Sequence, residues 1–202
     1  MHLPFWLGTA LLAPLLVWQG KRARRTTPRL PEASGDPHGQ YGDGEPARRL
    51  LVIGESTAAG VGVAHHHDGL ASQLARQLQQ QSLHTIGWHS HGINGIRLQA
   101  LLDNLKTIEL PEADAILLSM GVNDTTGLTP RRRYRQQLLA LSAQLSAPLY
   151  LLSVPPMHRF TALPSPLRQL LGWRARQLHA IQQQLARERP DDFIYLSYPP
   201  MD

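Results

Sequence analysis

Three short loops in this 202-residue chain carry groups that could do chemistry. In the first, Gly54-Glu55-Ser56-Thr57-Ala58-Ala59-Gly60, a serine comes straight after an apolar run. A hydroxyl placed there can act as a nucleophile, with nearby main-chain N–H groups to stabilise negative charge. It can equally serve as a helix cap. In the second, Ser90-His91-Gly92-Ile93-Asn94-Gly95, the two glycines allow close backbone approach, and the Gly95 amide could face a substrate. Asn94-Gly95 also reads as a plain turn. The third, Gly121-Val122-Asn123-Asp124, offers the Asn123 side-chain amide as a donor to a developing oxyanion, or as the start of an Asx turn.

Rival chemistries fail on particular residues. A phosphate-cradling loop needs Gly-x-x-x-x-Gly-Lys, and no lysine follows these glycines. The run Gly60-Val61-Gly62-Val63-Ala64-His65 ends in histidine where a dinucleotide fingerprint requires glycine. A flavin or nucleotide loop rich in Ser, Thr and Gly stays open as an alternative. The chain has no cysteine, so thiol nucleophiles, disulfides and cysteine metal sites are excluded. His65, His66 and His67 are consecutive, point in different directions and read as surface loop rather than a metal site. His158 follows an apolar run on the same side of the fold and is the one candidate for a surrogate base. Arg131, Arg132, Arg133 and Arg135 read as a solvated helix face that could also meet lipid headgroups.

These loops need a scaffold, and the hydropathy pattern supplies one. Strand-like segments fall at Leu50–Ile53, Thr85–His89, Ala113–Met120, Pro148–Val154 and Phe193–Tyr198. Helical spacing covers Asp68–Gln80 through Leu70, Leu74 and Leu78, then Ile96–Leu105, Arg131–Leu145 and Leu167–Arg187. Five strands joined by helical crossovers predict a mostly parallel sheet between helical layers. In such sheets ligands sit beyond the carboxyl ends of the strands, where all three loops begin.

The first 49 residues are different. Leu3–Trp18 is apolar and free of charge, and Lys21, Arg22, Arg24 and Arg25 follow it. That flank pattern predicts a membrane anchor over residues 1–19, with Trp6 and Trp18 at the interfaces and the rest of the chain on the cytoplasmic side. A cleaved or peripheral leader is the alternative. Residues 20–49 read as a basic linker, since four prolines and four glycines lie among polar residues between 26 and 49. The net charge of +5 does not point to nucleic acid. Residues 20–49 contribute +3 of it, leaving residues 50–202 close to neutral at +2.

Taken together and in order, the three loops resemble the SGNH/GDSL hydrolase superfamily of esterases and lipases. Gly54-Glu55-Ser56 is similar to its Gly-Asp-Ser motif, with Glu55 in place of the usual Asp. Gly121-Val122-Asn123-Asp124 resembles its Gly-x-Asn-Asp motif, and Val154-Pro155-Pro156-Met157 looks like bacterial members. The resemblance implies a flavodoxin-like three-layer α/β/α fold over residues 50–202. It implies that Ser56 is the nucleophile of a carboxylic ester hydrolase working through an acyl-enzyme. The Ser56 and Gly95 amides and the Asn123 side chain would form the oxyanion hole. No cofactor or metal is implied, and the expected substrate is a small-molecule or lipid-like ester. The family's final motif, Asp-x-x-His, does not occur between Met1 and Asp202. The expectation is therefore a hydrolase domain incomplete at its C-terminus, without its catalytic His and Asp, or else a catalytically impaired binding domain of the same fold.

Overall fold

The structure, a computed structural model, describes residues 11–198, apart from the side chain of Arg24. One six-stranded sheet forms its centre. Its strands are β1 (His38–Tyr41), β2 (Arg48–Gly54), β3 (Ile86–Gly92), β4 (Ala115–Ser119), β5 (Leu149–Leu152) and β6 (Phe193–Leu196), in the spatial order β1-β3-β2-β4-β5-β6. All neighbours are parallel except β1 and β3. The helices are α1 (Ala13–Thr26), α2 (Leu70–Ser82), α3 (Leu98–Leu105), α4 (Val122–Thr126), α5 (Arg131–Ser142) and α6 (Leu167–Glu188).

Alternation along the strands builds the two faces. Leu51, Ile53, Ile116, Leu118, Leu149 and Leu151 join one core with the apolar sides of α3, α5 and α6. Leu50, Val52, Ile86, Trp88 and Leu117 join the other, under α2. Successive strand residues point to opposite faces, so a central strand buried on both sides is apolar in a continuous run, as β2 is from Leu50 to Ile53 and β4 from Ala115 to Leu118. Coverage of the α2 face thins toward β6, where Tyr150, Leu152, Ile194 and Leu196 are half-buried.

The expected architecture is present, with one strand more than the five expected. The added strand lies inside the supposed linker. His38–Tyr41 has no apolar pattern, and long-range contacts hold it in place. Gly39 faces Trp88, leaving only 3.0 Å between the ring and the position of a Cβ. The Tyr41 hydroxyl lies 2.8 Å from Ser72 Oγ, and Ser90 N–H donates to Pro37 O at 2.7 Å. The boundary expected at residue 19 also falls within α1, which runs unbroken to Thr26. In α2 the buried positions are Ala71, Ser72 and Ala75 rather than the leucines, and Leu78 is exposed. Small residues there allow the helix to lie close to the face that carries Trp88.

The expected membrane run falls partly on residues 1–10, outside those described. Among the described residues no helix is long and apolar enough to cross a membrane.

Candidate active site

The register of the central strands brings the three loops together. Gly54, at the end of β2, pairs with Gly92 on one side and Ser119 on the other, so all three loops leave the sheet side by side. Two glycines are needed for that closeness. A Cβ on Gly54 would lie 2.2 Å from Ser119 O, and one on Gly92 would lie 2.0 Å from Ala59 N. Both obstacles are main chain, so no side-chain shift could relieve them.

Beyond Gly54 the chain turns tightly. Ala59 N–H donates to Glu55 O and Val61 N–H to Ser56 O, at 3.0 and 2.9 Å. Ser56 lies half-buried in this turn, and its Oγ has no hydrogen-bond partner among the described residues. The second loop is fastened to the first by Ile93 N–H donating to Gly54 O at 3.1 Å. Gly95 follows, exposed, with a φ of +78° that favours glycine and open space where a Cβ would be. Asn94 N–H donates to Glu32 Oε1 at 3.2 Å, while the Ser56 and Gly95 amides have no acceptor among the described residues.

The third loop is tied to the first through Glu55. This carboxylate is 3% exposed and accepts from Val122 N–H at 2.8 Å, from Asn123 N–H at 2.9 Å, and from the Asn123 side-chain amide. An Asn side-chain amide has two N–H donors, so one remains for another acceptor. Burial raises the Glu55 pKa, only partly countered by the hydrogen bonds from Asn123 and Val122. Gly121 admits the turn before Asn123, because a Cβ there would lie 2.5 Å from Val154 Cγ2.

Asp124 faces the other way. Its carboxylate is buried and accepts from Leu98 N–H, the first amide of α3, at 3.0 Å, and from Thr129 Oγ1 at 2.6 Å. This explains why α3 begins at Leu98 rather than Ile96. An acidic group at a helix N-terminus satisfies an orphan amide and suits the helix dipole. Burial raises the Asp124 pKa as well. Thr129 O in turn accepts from the buried guanidinium of Arg174 on α6.

The structure therefore assembles the loops of Ser56, Gly95 and Asn123 at one sheet edge. Sequence reasoning missed the braces, Glu55 and Asp124. Their partners lie 67 and 26 residues away, and local spacing gives no signal of them.

No histidine is hydrogen-bonded to Ser56 among the described residues. His65 Nδ1 lies 2.9 Å from Ser34 Oγ and His67 Nε2 lies 3.1 Å from the Tyr41 hydroxyl, so these two hold the N-terminal segment to the domain. His158 is exposed and packs on α6 at Gly172, where a Cβ would lie 2.5 Å from its own. A cleft of about 300 Å³ lies beside it, lined in part by Ser153, Pro155, His179 and Tyr198. Tyr198, beyond β6, donates its N–H to Ser153 Oγ at 3.1 Å, and burial, then the charge of Glu55, raise the pKa of its phenol.

Comparison with known proteins agrees with this geometry. Residues 52–202 match the GDSL-like Lipase/Acylhydrolase family. The chain is 29% identical over 199 residues to the GDSL-like esterase Rv1075c of Mycobacterium tuberculosis, covering 87% of this chain and 62% of that protein. Among solved structures it is similar to AlinE4, an SGNH-hydrolase family esterase, with a TM-score of 0.59 and 19% identity over 76% of this chain and 77% of that one. The psychrotrophic esterase EstA from Pseudoalteromonas gives a TM-score of 0.55 at 17% identity, over 74% and 77% of the two chains. With three-quarters of its length matched to the family model, and with a fold similar to that of AlinE4, the chain belongs to the GDSL-like lipase/acylhydrolase family.

Proposed function

We propose that the domain hydrolyses carboxylic esters through an acyl-enzyme on Ser56. Ser56 Oγ attacks the ester carbonyl carbon. The oxyanion that forms accepts from the amides of Ser56 and Gly95 and from the free N–H of the Asn123 side chain. Collapse of this intermediate expels the alcohol, and water then releases the acid. The observation that supports this reading best is the Glu55 bridge. It holds the nucleophile loop and the Asn123 loop in one fixed relation, which preorganised donors require. The family likeness supports a small-molecule or lipid-like ester as substrate.

The proton of Ser56 needs a base, and in this reading it is the His of the family's Asp-x-x-His motif, oriented by its Asp. Residues 1–202 contain no such motif. The 202-residue chain alone is therefore slow, by roughly 10³-fold or more, because loss of a triad member leaves only oxyanion stabilisation and binding.

The test is hydrolysis of a fluorogenic short-chain ester by the 202-residue chain, with and without added imidazole as an external base. A slow rate that rises with imidazole and disappears in Ser56→Ala supports the reading. A fast rate without imidazole that Ser56→Ala abolishes refutes the missing base. An imidazole-dependent rate that Ser56→Ala leaves unchanged refutes the nucleophile.

A further inference from the structure

We infer that α1 docks the protein on an anionic lipid bilayer, entering the leaflet with its N-terminal half and gripping headgroups with its C-terminal half. The inference is independent of which residue performs the chemistry.

One face of α1 is spoken for. Leu16 and Gln19 are buried against α6, and Gln19 holds the first turn of that helix at two points. Its Nε2 donates to Ser165 O at 2.6 Å, and its Oε1 accepts from Leu167 N–H at 3.1 Å. The rest of its surface is left in solvent, and its composition changes along the axis. Leu15, Val17 and Trp18 stand out from the first half, each at least 40% exposed, with Leu11 just before the helix at 84%. Lys21, Arg22 and Arg25 stand out from the second half, with no acidic side chain in the helix. Trp18 marks the change, and the Arg22 guanidinium lies 5.4 Å over its ring.

A bilayer matches this arrangement in each part. Exposed leucines and valine favour hydrocarbon, tryptophan favours the interfacial zone, and arginine and lysine reach from there to phosphates. The 14 residues of α1 extend only about 21 Å, and one side is fixed to α6, so the helix embeds in one leaflet without crossing. The apolar surface also continues beside it. A groove of about 480 Å³ between α1 and α6, bordered by Val17, Leu128, Leu163 and Leu170, opens next to the same face. A second copy of the chain would meet the apolar half but would bring Lys21, Arg22 and Arg25 against their own kind, so charge complementarity favours anionic lipid.

The experiment is flotation of the 202-residue protein with vesicles of phosphatidylcholine alone and of phosphatidylcholine mixed with phosphatidylglycerol. The expected result is flotation with the mixed vesicles that weakens at high salt. Lys21→Gln/Arg22→Gln/Arg25→Gln lowers the vesicle partition coefficient on the order of 100-fold, at about fivefold for each cation lost. Leu15→Ser/Trp18→Ser also releases the protein, and the exposed positions leave the thermal midpoint unchanged. Equal flotation of the parent and the Gln variant would overturn the inference. So would no flotation at all, or a dimer by light scattering that Leu15→Ser/Trp18→Ser dissociates while vesicles bind nothing.

Discussion

Glu55 and Asn123, 68 residues apart in the chain, are joined twice, once through the Asn123 main-chain amide and once through its side chain. Glu55 also accepts from Val122 N–H, so a single buried carboxylate satisfies three donors of the neighbouring loop. Glu55→Ala leaves all three without an acceptor and is expected to cost about 3 kcal/mol of stability. Glu55→Asp keeps the charge on a shorter arm and is expected to cost about 1 kcal/mol, with one bond lost. Urea unfolding of the two variants beside the parent measures both. An Ala variant as stable as the parent would refute the brace.

The raised pKa values of Glu55 and Asp124 give a pH dependence with a definite sign. Both groups hold their protons more tightly folded than unfolded. Their contribution to stability is complete below the ordinary carboxylate range and is lost as pH rises through their folded values. His89 and His179 act in the opposite sense. Burial lowers the pKa of both, aided at His89 by His38 and His91, so their contribution is lost as pH falls below the usual histidine range. Glu55→Gln should therefore flatten the loss of stability with rising pH and leave the histidine limb in place. Denaturant midpoints collected from acid to neutral pH check this, and an unaltered slope in Glu55→Gln counts against it.

The two loop glycines should respond very differently to alanine. Gly92→Ala drives a methyl into the main chain of Ala58 and Ala59, and should prevent folding or cost at least about 3 kcal/mol. Gly95→Ala meets open space and carries only the strain of its positive φ, about 1 kcal/mol. Thermal melts of both, side by side, are the check. Similar losses at the two positions would mean that close packing is not what Gly92 provides.

Asp124→Ala should cost more than an average buried substitution, about 3 kcal/mol, because it strands Leu98 N–H and the Thr129 hydroxyl together. The loss should appear first at the start of α3. Hydrogen exchange of the Leu98 amide reads this directly, and an amide protected as well as in the parent would rule the brace out.

Why some of this could be read in the sequence and some could not follows from the range of the forces. The strand Ala115–Ser119 is apolar because both of its faces are buried, and that signature is local. Ser56 and Asn123 stand out because each follows such a strand, and Gly95 because of its glycine-rich turn; the sheet's register then brings their loops together. β1 carries no such mark. His38–Tyr41 is ordered by partners on β3 and α2 that lie tens of residues ahead, so its composition reads as linker. The α2 leucines misled for a related reason. Their spacing marks a helix, but the closeness of the Trp88 face decides which side packs, and that selects Ala71 and Ala75.

The uneven cover on the sheet also sets the order in which the molecule comes apart. β2 and β4 lie in the centre with a strand on each side and buried residues on both faces, so their amide hydrogens can exchange only when the whole domain opens. β6 has one neighbour, and its residues Ile194 and Leu196 are half in water beside Tyr150 and Leu152. On this side of the sheet, opening therefore starts at β6 and travels inward through β5. Past that strand Tyr198 donates its N–H to Ser153 Oγ, so fraying of β6 also loosens the chain that follows it at the loop-bearing end of the sheet.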